Sequence, residues 1–243
     1  MSDEVKELVQ RARAAQKVIE FWSQEQVDEM VAAAGWEAYK EDHARECAQL
    51  AAEETKLGRF DHKFAKHQKK TLGTLRDLHG LRTVGVINEN KEKGLIQVAK
   101  PVGVIGALTP VTNASSTITV NGLAMLKCRN AVVFAPHPSA KRTCDLTASY
   151  MRVGLKKVGA PEDLFLNLKE PSIETTQALM KEVDLVVATG GPAMVKAAYS
   201  SGTPAYGVGA GNSVTVIDET ADLEDTARSE ERRVGKECRF RWS

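Results

Sequence analysis

No apolar run in the chain approaches the ~18 residues needed to cross a bilayer, and no pair of cysteines forms a CxxC motif. The first absence argues against a membrane-spanning helix. The second argues against a disulfide framework or a cysteine-based zinc site. The four cysteines, Cys47, Cys128, Cys144 and Cys238, show no regular spacing, which predicts a reduced, cytoplasmic setting. Charge of one sign is lacking too: 33 Lys+Arg stand against 32 Asp+Glu, a net +1. A nucleic-acid partner or an anionic membrane surface is therefore not expected. The opening MSDEVKELVQRARAAQKVIEFW is charged and amphipathic, without the apolar core or cleavage site of a secretory signal. There is no internal repeat and no low-complexity segment. What is present is an ordinary globular composition, 243 residues with 42% hydrophobic, enough for one or two cores.

One segment stands apart. Arg228–Ser243 reads RSEERRVGKECRFRWS, with six basic and three acidic residues and no helix or strand period. It resembles a translated adapter or vector read-through, and such segments are excluded from fold reasoning. Without it the chain carries 27 basic and 29 acidic residues, a net −2. The expectation is that the native reading stops mid-fold near Ala227.

Residues 3–57 are helical in character. Val5, Leu8 and Val9 recur at helical spacing, as do Val27, Met30, Val31 and Ala34, and Ser23 followed by Glu25 and Gln26 predicts a capped helix start. Arg59–Lys70 is basic and histidine-rich. His62 and His67 are five apart, which does not place both on one helical face, so no metal site is expected and the segment reads as a solvated helix or loop. From Thr83 the pattern changes to two β-rich runs around a polar turn at Asn88–Gly94, a hairpin or protruding arm.

Strands and helices then alternate. The predicted strands are Val102–Leu108, Ala131–Ala135, Leu164–Asn167, Asp184–Ala188 and Val214–Ile217. The predicted helices are Ser115–Lys127, Ser139–Val158, Ser172–Lys181 and Pro192–Ser200. This order predicts an α/β fold with a doubly wound parallel sheet, Rossmann-like, covered on both faces. The expected organisation is an N-terminal helical part (1–82), a β arm (83–99), a dinucleotide-binding core (100–227) and a non-native tail (228–243).

Ligands of such sheets bind at the carboxyl ends of the strands. The first loop there is Thr109-Pro110-Val111-Thr112-Asn113, in which Asn113 either caps the following helix or faces a ligand. In Ala188-Thr189-Gly190-Gly191-Pro192, Thr189 or Gly190 can cap, Pro192 suits the first helical turn and Gly202 closes the helix. Paired glycines at a helix start also let a phosphate approach backbone N–H groups. Gly207-Val208-Gly209-Ala210-Gly211-Asn212 fails the G-x-G-x-x-G test because Asn212 stands where the last glycine belongs. It reads better as bare backbone that a flat ring or thioester can approach.

Four blocks, AKPVGVIGALTPVTN, KCRNAVVFAPHPSAK, VVATGGPAMVKAAYSSG and AYGVGAGNSVTVIDETADL, together resemble the CoA-acylating aldehyde dehydrogenases. That group includes the acetaldehyde dehydrogenase half of bifunctional alcohol/aldehyde dehydrogenases and the sulfoacetaldehyde dehydrogenases. The resemblance runs from about Val5 to Ala227 and is strongest over Lys100–Asp222. KTLGTLRDLHG and PVTN lean towards the sulfoacetaldehyde branch.

The resemblance implies an NAD-dependent oxidation of an aldehyde to an acyl-CoA, with coenzyme A as co-substrate. It implies that Asn113 donates to the oxyanion and that Thr109, Pro110, Val111 and Thr112 line the cofactor. His137, Pro138 and Ser139 match the stretch that meets the adenosine ribose. Hydrolytic relatives carry Lys and Glu there where this chain has His137 and Ala140, which leaves NAD against NADP open. Thr189, Gly190 and Gly191 match the pyrophosphate and nicotinamide loop, Met194 the apolar wall beside the adenine, and Gly207, Val208 and Gly209 the backbone near the ring.

Gly207 stands where hydrolytic relatives place a glutamate base, which favours CoA thiolysis over hydrolysis. The family's nucleophilic cysteine lies about thirty residues beyond Asn212, inside the foreign-looking tail. Cys47, Cys128 and Cys144 read as packing residues, and Cys238 is out of context. The span is thus expected to be a cofactor-binding portion, inactive alone, of an enzyme that forms homo-oligomers through its arm. Two other readings are a stand-alone NAD-binding or assembly module, and a hydrolytic or semialdehyde dehydrogenase of the same superfamily.

Overall fold

A computed structural model describes residues 2–208, 217–222 and 224–227. The chain divides into two units, Met1–Gly209 and Ala210–Ser243. In the second, Thr220 turns back onto the Asp218 carboxylate through its N–H at 2.9 Å and its hydroxyl at 2.7 Å, and the Asp225 N–H reaches Asp222 Oδ1 at 2.9 Å. Gly209, Gly211, Asn212 and the Arg228–Ser243 tail lie outside the described residues, as does the strand expected at Val214–Ile217, except that Ile217 belongs to no strand.

The first unit opens with four helices, α1 (Ser2–Ile19), α2 (Gln24–Tyr39), α3 (Glu41–Thr55) and α4 (Phe60–Leu78). Ser23 caps α2 as expected: its hydroxyl accepts the Gln26 N–H, and the Gln26 side chain accepts the Ser23 N–H. The predicted helical stripes are buried, Val5 and Val9 on α1 and Val27, Met30, Val31 and Ala34 on α2, with Leu8 half-buried beside them.

The arm is an antiparallel pair, β1 (Gly85–Asn90) and β2 (Leu95–Ala99). Its apolar side chains Val86, Ile87, Leu95, Ile96 and Val98 are all exposed. Its feet are pinned: the Thr83 hydroxyl donates to Lys127 O at 2.6 Å, and the Arg129 guanidinium donates to Ala99 O at 3.2 Å and to Glu20 O.

Five parallel strands follow, β3 (Val104–Thr109), β4 (Ala131–Pro136), β5 (Phe165–Asn167), β6 (Leu185–Thr189) and β7 (Ala205–Val208), in the order β5-β4-β3-β6-β7. The chain winds outward from β3 through β4 to β5, then returns to β6 on the other side of β3. With right-handed crossovers, this puts α5 (Ala114–Lys127) and α6 (Lys141–Lys157) on one face. It puts α7 (Ile173–Glu182) and α8 (Pro192–Tyr199) on the other. Helix α2 adds a layer over α5 and α6, and α1 lies beside α7. Every residue of β3 and β4 is buried, as expected of central parallel strands covered on both faces. Phe134 and Phe165, fully buried, each contribute about 1.5–3 kcal/mol of burial.

Several expectations are corrected. Val102 is exposed and precedes the strand, which starts at Val104 after Gly103 turns the chain at φ +128°. A side chain at 103 would collide with the Asp184 carboxylate, which accepts the Val104 N–H at 2.8 Å. Ser139–Val158 is not one helix, because the short 3-10 turn Pro138–Ala140 precedes α6. Strand β7 was not anticipated at Ala205–Val208. Finally, Arg59–Lys70 is not simply solvated. Lys63, His67 and Thr71 form a buried polar stripe on α4, with His67 at 0% exposure donating from Nε2 to Ala38 O at 2.9 Å.

Candidate active site

Because all five strands are parallel, their carboxyl ends share one edge of the sheet. The winding reverses between β3 and β6, which lie side by side with Leu108 opposite Ala188. This switch point is where doubly wound sheets hold their ligands. The predicted loops Thr109–Asn113 and Thr189–Gly191 both emerge there. His137–Ser139 leaves the end of β4, and Gly207–Val208 forms the end of β7. The sequence-predicted residues that are described therefore gather along one edge.

Asn113 occupies the N-cap position of α5, yet its side chain makes no capping bond. Its Oδ1 accepts instead from Lys66 Nζ on α4, at 2.6 Å. With the carbonyl end engaged, the amide NH2 is the end left to donate. Thr109 is buried and its carbonyl accepts the His137 N–H at 3.1 Å, tying the β3 and β4 ends together. His137 Nδ1 accepts the Ser139 N–H at 3.2 Å, and both residues are exposed at the sheet edge.

At α8 the cap is Gly191, not Thr189 or Gly190, and Pro192 begins the helix as expected. The Gly190 N–H is spent on Val208 O at 3.2 Å. The anion-binding capacity of this turn therefore rests on the first-turn N–H groups of α8, which lack intrahelical acceptors. Gly202 follows the helix at φ +87°. Met194 is partly exposed on α8, and a Cβ at Gly190 would sit 3.5 Å from it.

Gly207 is not simply bare backbone awaiting a ligand. A Cβ there would lie 2.5 Å from Val195 and 2.9 Å from the Tyr199 ring, and the Gly207 N–H donates to Tyr199 Oη at 3.0 Å. Close packing of α8 on β7 occupies the space a side chain would need.

Among the described residues the three thiols do not form a nucleophilic centre. Burial pushes the Cys47 pKa up to about 11 and pushes Cys144 higher still; Cys128, half-buried, is raised by the same cause. A thiol held protonated is a poor nucleophile. Among the described residues no cluster of His, Cys, Asp and Glu is arranged to hold a metal ion, and no helix is long and apolar enough to cross a membrane.

Sequence reasoning missed Lys66. Its stretch carries only a basic signal, and the partner it meets is 47 residues away.

A doubly wound parallel sheet with an uncapped asparagine amide and a helix start at its switch point has the layout at which such α/β folds hold their ligands. Residues 1–232 match the aldehyde dehydrogenase family, and the chain belongs to it. A sulfoacetaldehyde dehydrogenase of Acholeplasma is 51% identical over 90% of this chain and 46% of its own length. The succinate-semialdehyde dehydrogenase (acetylating) of Clostridium kluyveri is 45% identical over 94% of this chain and 50% of its own. Among solved structures, the Rhodopseudomonas palustris propionaldehyde dehydrogenase with bound CoA and an acylated cysteine superposes with a TM-score of 0.79 at 36% identity. That match covers 92% of this chain and 49% of that one. The chain spans about half the length of the curated relatives it matches.

Proposed function

We propose that this chain is the cofactor-binding portion of a CoA-acylating, NAD(P)-dependent aldehyde dehydrogenase, and that turnover needs a cysteine from sequence beyond the described residues. The observation that carries the reading is the Asn113 side chain, which sits at the switch point, does not cap its helix, and has its carbonyl end held by Lys66. As that cysteine adds to the aldehyde, the carbonyl oxygen gains charge, and the Asn113 NH2 is placed to donate to it. One such donor is worth about 3–4 kcal/mol in the transition state. When bound, the nicotinamide accepts the hydride and CoA takes the acyl group from the cysteine.

Thr109, Pro110, Val111 and Thr112 line the cofactor side of the same loop. The first turn of α8, beside Thr189–Gly191 and Met194, offers its N–H groups to the pyrophosphate. His137 and Ser139 face the ribose. No carboxylate stands at 207 to activate water, and the packing of Val195 and Tyr199 against Gly207 resists placing one there. This favours a thiol acceptor over water. The exposed apolar arm over residues 83–99 is an assembly element of the whole enzyme, since such a hairpin gains stability by pairing.

The test is NAD(P)H formation at 340 nm by the full-length gene product, with aldehyde, with and without CoA. The expected result is turnover that requires CoA. Equal turnover in water alone would refute the acylating assignment.

A further inference from the structure

Helix α4 carries His62, Lys63, Lys66, His67, Lys69 and Lys70 within nine residues, with no acidic residue among them. Among the described residues none of the four lysines makes an ion pair, although ion pairs form elsewhere on the surface. Lys63 is nearly buried, and its pKa is lowered first by that burial and then by the neighbouring Lys66 ammonium. His62, Lys66, Lys69 and Lys70 line a shallow open depression. The fixed partner of Lys66 is uncharged: the carbonyl end of the Asn113 amide. His62 lies 3.9 Å from the Asp61 carboxylate, but Lys66, Lys69 and Lys70 have no such partner among the described residues, so a positive field abuts the oxyanion donor proposed above.

We propose that Lys66 is a specificity-determining residue that selects aldehydes carrying an anionic group, a sulfonate or carboxylate, a short distance from the carbonyl. The inference rests on the reading of Asn113 given above. The distances favour a short link. Lys66 Nζ is 2.6 Å from Asn113 Oδ1. An oxygen bound at the amide NH2 therefore lies within about 8 Å of the ammonium, given ordinary hydrogen-bond lengths. In a two-carbon sulfonate aldehyde the carbonyl and sulfonate oxygens are separated by about 4–5 Å, which leaves about one hydrogen-bond length to the ammonium. A neutral aldehyde of the same length leaves the ammonium without a counterion. Discrimination then comes from a charged hydrogen bond made with one substrate and missing with the other.

The test is made on the full-length enzyme with sulfoacetaldehyde and propionaldehyde as paired substrates, each with CoA and NAD(P). In Lys66→Gln the ratio of kcat/KM for the anionic over the neutral aldehyde is expected to fall at least about tenfold, the loss of one charge-assisted hydrogen bond. Lys66→Arg is expected to keep the ratio within about threefold, because the charge remains. Isethionate, a sulfonate without the aldehyde, is expected to compete with aldehyde in the parent enzyme and to lose that competition in Lys66→Gln.

A ratio that moves less than threefold overturns the proposal. An equal fall for both aldehydes overturns it too, and leaves Lys66 only holding the Asn113 amide. A rise in KM for CoA with an unchanged aldehyde ratio assigns the cations to CoA phosphates and again overturns it. If the parent enzyme turns over neither aldehyde with CoA, the acylating reading itself fails and this proposal falls with it. An active enzyme with an unchanged ratio removes the Lys66 assignment alone.

Discussion

Replacing Gly154 by alanine should destabilise the first unit, while the same replacement at Gly73 should stabilise it. Both glycines lie inside helices, Gly154 in α6 and Gly73 in α4. By propensity alone each change is favourable by about 1 kcal/mol. The surroundings differ. A Cβ at Gly154 would stand 2.4 Å from Ala33 O, with Ala33 C and Ala34 Cα at 2.6 Å, all backbone atoms of α2. No rotamer change can relieve that overlap, so the two helices must separate. Overpacking of this kind costs typically ~1–3 kcal/mol, and obstruction by backbone places the cost towards the upper end. The net loss is about 1–2 kcal/mol, or roughly 2–8 °C in Tm for a domain of this size. At Gly73 nothing lies within 4 Å, so the propensity gain should appear nearly whole, as a rise of about 2–4 °C. The assay is thermal and urea unfolding of both variants beside the parent chain, followed by circular dichroism. An unchanged midpoint for Gly154→Ala would refute the close α2–α6 crossing, and a lowered one for Gly73→Ala would refute the open space around that face of α4.

Three further outcomes are expected. Glu37 is 2% exposed; burial works to raise its pKa, but hydrogen bonds from Lys157 at 2.6 Å and Lys40 at 2.8 Å outweigh this and hold it below its ordinary value near 4.5. Its stabilising contribution is therefore present above the unfolded carboxylate pKa and lost as pH falls through the folded one. Glu37→Gln should cost about 1–2 kcal/mol at pH 7, discounted because Lys157 is half exposed, and urea midpoints of parent and variant should converge below pH 4. A gap that stays constant from pH 7 to pH 3 would contradict this. Asn113→Ala should lower kcat/KM of the full-length enzyme by about 10²–10³ with Tm nearly unmoved, since the side chain caps nothing. A Tm loss like that of a broken cap, about 1 kcal/mol, would mean that the asparagine is structural after all. Native alkylation read by mass spectrometry should leave Cys47 and Cys144 unmodified while Cys128 reacts slowly; rapid labelling of either buried thiol would refute their packing role.

The legible parts of this fold were those whose partners are close in sequence. Ser23 and Gln26 complete a capping box three residues apart, and the arm turns back on itself within a few residues. The alternation after Val104 is regular enough to specify a parallel sheet. Helix α4 was harder because its inward stripe is built from Lys63, His67 and Thr71, side chains whose polarity ordinarily marks the outside. Each buries its stem or satisfies part of its polarity locally, as when Thr71 Oγ1 donates to His67 O at 2.8 Å. Strand β7 was missed for the opposite reason. AYGV has glycine at its third position and lies at the sheet edge with Tyr206 and Val208 exposed, so its membership is decided by pairing to β6 and by α8, not by its own pattern. Gly154 looks like a flaw in a helix until the backbone of Ala33 is placed against it.

The candidate site divides along the same line. Its loops could be found because the sheet order fixes where strand ends fall. What each side chain does there depends on contacts that span the chain. Asn113 could equally have been a cap, and only Lys66, 47 residues earlier, decides otherwise. Gly207 shows how packing bears on chemistry. Read from sequence, its missing side chain is a missing base. In the fold it is also the residue that lets Val195 and Tyr199 of α8 settle on β7. A side chain at 207 would press on the Val195 and Tyr199 side chains of α8. On this side of the sheet, then, any side chain at 207 and the Val195–Tyr199 face of α8 claim the same volume, and the glycine leaves it to the helix.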